Sequence, residues 1–161
     1  MKILTDPDHA RIVKTPHQSG IHVLLGFPKP TAQALHSHAT SRLPPEFHIV
    51  TVRALLLGYR HEHDRDFHLV LANPQDASET IIGELPDPVC VTNTTFAHGL
   101  TIMRQWVVTN FGAPGPATIR LPQPIPVMVK GVVFYDFIHR QDGVAPNGIE
   151  IHPILGIGPA H

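Results

Sequence analysis

Apolar and polar positions change period along the chain, and the changes mark out its elements. Residues 48–60 (HIVTVRALLLGYR) form a long apolar, β-branched run, which predicts a core strand. Residues 66–72 (DFHLVLA) and 80–85 (TIIGEL) predict two more strands. The turn residues Asn73-Pro74-Gln75-Asp76-Ala77 lie between them, and Pro86 and Pro88 stop the second. The period then lengthens. Phe96, Leu100, Met103 and Val107 recur at the spacing of one helix face, with Asn93 placed to cap it and Gly112 and Pro114 to end it. A Pro-rich stretch over 114–126 leads into a fourth strand at 127–138, and the turn at 140–148 into a fifth at 149–157.

Residues 1–46 lack this regularity. They read as an extended arm, with the apolar 21–27 stretch as one short strand or wrapping segment. A polar loop over 31–45 follows, holding His36 and His38. The order β-β-β-α-β-β, with a long first strand, predicts a mainly β protein. Its expected core is a five-stranded OB-like barrel at 47–157 behind the N-terminal arm, in one domain of 161 residues.

Composition narrows the function classes. The net charge of -1 gives no general pull toward nucleic acid or an anionic membrane. The single cysteine, Cys90, allows no internal disulfide and has no CxxC partner, so an inert thiol is expected. The N-terminal stretch has no secretory hydrophobic region, and no apolar run approaches the length of a membrane span, so a cytoplasmic location is expected. Seventeen prolines argue for many turns. Thirteen histidines are well above ordinary usage, although His22, His48 and His98 are read as surface groups.

The chemistry gathers at strand ends. Side chains two apart share a strand face, so Asp66 lies with His68, and a 73–79 hairpin sets His68 opposite Glu84. A second group comprises Asp136, His139, Glu150 and His152, and antiparallel pairing of the last two strands would bring Asp136 near Glu150. His68, Glu84, Asp136 and Glu150 are the candidates for acid–base work. Asp66, His68, Glu84, Asp136, His139 and His152 are the candidate ligands of a divalent metal ion. The bland alternative is two polar faces of half-exposed strands, where cross-strand pairs contribute about a few tenths of a kcal/mol.

The motifs DRDFHLVL, IIGELPDP, GVVFYDF and GVAPNGIEIHP resemble those of a family of small bacterial proteins with no established activity. The resemblance covers most of residues 44–157 and implies fold-level unity rather than a reaction. The element order also resembles the staphylococcal nuclease group of OB barrels, without a counterpart of its paired arginines around a calcium-binding carboxylate group. Three functions are therefore weighed. The first is a divalent-metal-dependent hydrolase acting on phosphodiesters. The second is a non-catalytic OB-like binding module for a small ligand or a protein partner. The third is an assembly protein. Non-specific nucleic-acid binding is disfavoured, because strands 66–72 and 80–85 offer Phe67 and little positive charge.

Overall fold

The computed structural model describes residues 3–37, 41–138 and 140–160. Its spine is the long apolar strand β2 (His48–His61), which buries Val50, Val52, Ala54 and Leu56 in the core. One edge of β2 pairs antiparallel with β5 (Ile119–Tyr135), from Ile49↔Val132 to Tyr59↔Ile119. Two strands share the other edge. β1 (Val13–Ser19) runs parallel to it from His48 to Val52, and β3 (Phe67–Ala72) runs antiparallel from Leu55 to His61. β3 pairs with β4 (Thr80–Leu85). β6 (Ile149–Pro159) joins β4 in parallel and β5 antiparallel. The result is a mainly β structure with a six-stranded sheet ordered β1-β2-β3-β4-β6-β5, in which β2 also pairs with β5.

The sixth strand corrects the five-strand expectation, and it comes from the supposed arm. β1 reads VKTPHQS and is exposed along nearly its whole length, so no hydrophobic alternation announces it. The 21–27 stretch is not a strand. It forms the helix α1 (Ile21–Leu25), burying Ile21 and Leu24 three residues apart. The polar loop also holds a helix, α2 (Ala32–Ser37). His38, expected in that loop, lies outside the described residues.

The N-terminal segment is tied down by charge. Asp6 accepts two hydrogen bonds from the Arg42 guanidinium, at 2.9 and 2.6 Å, with both side chains buried. Glu46 then accepts the backbone N–H of Tyr135 at 2.8 Å, linking this segment to β5.

β5 begins at Ile119, well inside the Pro-rich stretch, and ends at Tyr135, short of the expected Ile138. Proline lacks an N–H for the ladder and is tolerated where the ladder is broken. The break is at the register shift between Leu56 and Gly58, which leaves residues 121–124 of β5 without pairing partners on β2. The long helix α3 (Thr94–Phe111) forms where its period predicts. Asn93 accepts the Phe96 N–H at 2.9 Å, Leu100, Met103 and Val107 are buried, and Gly112 closes the helix at φ +96°. Arg104 on α3 donates to the Leu85 carbonyl at 3.0 Å and lies 3.7 Å over the Phe67 ring, fastening the helix to β3 and β4. Cys90 is exposed. No helix among the described residues is long and apolar enough to cross a membrane.

Candidate metal centre

Three segments deliver the centre. In the β3–β4 hairpin, His68 pairs directly with Glu84 in the strand register. β6 lies on the other side of β4, with Ile82↔Glu150 and Gly83↔Ile151, which brings His152 beside Glu84. Gly83 permits this approach. A Cβ there would lie 2.8 Å from Leu71 Cδ1 and 3.0 Å from Ile154 Cδ1. The third segment is the turn joining β2 to β3. The Glu62 N–H donates to the Asp66 carbonyl at 2.9 Å, and the Arg65 N–H to the Glu62 carbonyl at 3.0 Å. Arg65 takes φ +73°, an uncommon value for a residue with a side chain. This turn carries Glu62 and Asp66 to the two sides of the cluster.

The cluster is almost wholly buried. His68 and His152 are fully enclosed, and Asp66, Glu84 and Glu150 nearly so. Charges and polar groups in such a place need partners. His68 Nε2 lies 2.8 Å from the Asp142 carbonyl, an acceptor, so this nitrogen carries the proton. The Asp142 carboxylate is held in turn by the Thr118 hydroxyl at 2.6 Å. The lone-pair side of the ring, Nδ1, then faces Glu62 Oε1 at 3.1 Å and Glu84 Oε1 at 3.6 Å, with neither in hydrogen-bond geometry. His152 mirrors this arrangement. Its Nδ1 lies 2.6 Å from Glu84 Oε2 and 3.2 Å from Glu150 Oε1. Its Nε2 has no hydrogen bond and faces Asp66 Oδ2 at 3.7 Å. Asp66 uses its other oxygen to accept the Asp87 N–H at 2.8 Å.

Burial and charge pull the titrating groups in opposite directions. Burial penalises the His152 imidazolium, but Glu84 and Glu150 outweigh it and raise its pKa to about 9. His68 is raised in the same way, with burial opposed by Glu84, the Asp142 carbonyl and Glu62. Burial lifts the Asp66 carboxyl to about 6, although the Asp87 N–H and His152 favour its charged form.

One atom from each of Glu62, His68 and Glu84 lies within 4.8 Å of the others, and the same holds for Asp66, Glu84 and His152. Ligand atoms at about 2.1 Å from a divalent ion stand roughly 3.0–3.4 Å apart in octahedral or tetrahedral geometry. The open nitrogen-to-carboxylate gaps of 3.1, 3.6 and 3.7 Å are near that range. The 2.6 Å contact of His152 Nδ1 with Glu84 Oε2 is instead a close ion pair.

Of the residues expected from sequence, Asp66, His68, Glu84, Glu150 and His152 come together, so the two groups merge. Asp136 does not join them. Phe134, not Asp136, pairs with Glu150, and the chain leaves β5 after Tyr135. The Asp136 N–H donates to the Gly148 carbonyl at 2.9 Å, and its carboxylate accepts the Phe137 N–H at 2.8 Å. His139 lies outside the described residues. Glu62 and Asp142 were missed. Glu62 sits one residue past the end of β2, where strand alternation no longer applies. Asp142 acts on His68 through its backbone carbonyl, which no side-chain pattern reveals. No protein-family model matches the chain, and no curated protein is detectably similar to it.

Proposed function

We propose that this chain is a divalent-metal-dependent hydrolase, with phosphodiesters as its favoured substrates, and that Glu62, His68 Nδ1 and Glu84 hold its ion. One observation carries this reading. A fully buried imidazole has one nitrogen committed to the Asp142 carbonyl, while the other faces two carboxylates without a hydrogen bond. Metal-binding histidines are oriented in this way, through the ring nitrogen that does not bind the ion. An ion at this place would supply Lewis acidity and an activated water.

The hydrolytic part rests on access and charge. Glu62 is the least buried member of the cluster, with 21% of its side chain exposed. Arg60 donates to Glu62 from Nε at 2.9 Å and is exposed to a similar degree, which sets a guanidinium beside the opening for an anionic substrate. We read the pairing of β2 through β6 as an OB-like barrel, with the centre between β3, β4 and β6.

Metal analysis of the purified protein, together with hydrolysis of bis(p-nitrophenyl) phosphate with and without added Mn2+ or Zn2+, tests the reading. Bound metal and metal-dependent turnover are expected, and Glu62→Gln should lose the turnover. A parent protein that neither contains nor takes up metal overturns it and leaves a non-catalytic binding module.

A further inference from the structure

The cluster holds more ligand atoms than one ion uses. On the far side of Glu84 from His68, the His152 ring is fully enclosed. Its Nδ1 is occupied by the carboxylates of Glu84 and Glu150, which fixes the ring. Its Nε2 is buried, lacks a hydrogen bond, and faces Asp66 across 3.7 Å. That gap is too long for a hydrogen bond and suits two ligands of one ion.

Asp66 is prepared for such a role. Its Oδ1 takes the Asp87 N–H, which leaves Oδ2 directed at His152. Glu84 stands between the two histidines, with Oε1 toward His68 Nδ1 and Oε2 against His152 Nδ1, and one of its oxygens lies within 4.8 Å of an Asp66 oxygen and a His152 nitrogen.

We propose that Asp66, His152 Nε2 and Glu84 form a second divalent-cation position, and that Glu84 joins it to the first as a shared ligand. This rests on the metal-dependent reading above, since both positions use Glu84. The inner position is enclosed, with Asp66, Glu84 and His152 all buried, whereas the outer one opens through Glu62. The outer ion is therefore the one that meets substrate. The inner ion fixes the Glu84 carboxylate and offsets the negative charge of Asp66, Glu84 and Glu150. Glu150 acts as a positioning residue: it lies outside the Asp66, Glu84 and His152 group, and with Glu84 Oε2 it holds His152 Nδ1, the ring nitrogen that faces away from the ion.

Calorimetric titration of the metal-stripped protein with Mn2+ tests the proposal, with electron paramagnetic resonance of the loaded protein. Two Mn2+ per chain are expected, with a spin-coupled spectrum from ions sharing a carboxylate. Asp66→Asn should retain one ion with an uncoupled spectrum, and Glu62→Gln should do the same from the other side. Circular dichroism would establish that each variant is folded. A parent protein that binds a single Mn2+, unaffected by Asp66→Asn, overturns the second position and leaves the first. A parent protein that binds none overturns both. Two uncoupled ions would overturn the sharing of Glu84.

Discussion

Glu84 is the residue on which the centre turns, because its two oxygens face different histidines. Glu84→Gln preserves shape and removes charge. The amide is a poor ligand, and its NH2 would stand against whichever histidine nitrogen it met. We expect Mn2+ affinity to fall by at least about tenfold, read by the same titration as the parent. Retained affinity would show that Glu84 is not a ligand. The neighbouring residue matters for a different reason. Gly83→Ala would force a Cβ to within 2.8 Å of Leu71 and 3.0 Å of Ile154. Overpacking of this kind costs about 1–3 kcal/mol, measurable as a lower urea midpoint. A neutral substitution would mean that the ends of the Leu71 and Ile154 side chains can turn aside without loss.

Elements differed in how far their own residues announced them. β3, β4 and α3 each carry a complete local signal: period, turn residues and, for α3, the Asn93 cap. The facing of His68 and Glu84 was legible for the same reason, since one short hairpin fixes it. β1 was hidden because an exposed strand lying on the edge of β2 needs no apolar alternation. The merging of two acidic groups into one centre was hidden because it depends on a parallel pairing between β4 and β6, distant in sequence.

The tie between the N-terminal segment and the sheet yields a prediction at this scale. Asp6 and Arg42 are both buried, so Arg42→Met strands a carboxylate and should cost about 3 kcal/mol or more in denaturant unfolding. The pH dependence follows from the Asp6 carboxyl. Burial opposes its ionisation, but the hydrogen bond and charge of Arg42 prevail and lower its pKa below the ordinary 3.8. A carboxyl lowered on folding stabilises the native state above its unfolded pKa, and that contribution fades as the pH falls through the folded value. The stability gap between parent and Arg42→Met should therefore be full well above the ordinary carboxyl value of 3.8 and narrow as the pH falls below it. A gap constant over that range would assign the loss to packing alone.

The whole molecule should register the ions as well. A ligand that binds only the folded state stabilises it by about 2.7 kcal/mol at a hundredfold excess over its dissociation constant. For a chain of this size each kcal/mol shifts the melting temperature by roughly 2–4 °C. Stripping metal with a chelator should then lower the midpoint by roughly 5–10 °C, and adding Mn2+ back should restore it. An unchanged midpoint would mean that the carboxylates and imidazoles balance one another without a cation. The short parallel seam between β4 and β6, which joins Gly83 to Ile151, also sets a timetable. During synthesis the hairpin carrying His68 and Glu84 leaves the ribosome well before residue 150 is made. The inner half of the centre cannot exist until the last strand docks. A nascent chain paused before Ile149 should be blind to a cation at the inner position, and an ion bound there would report that β6 has been made and has docked.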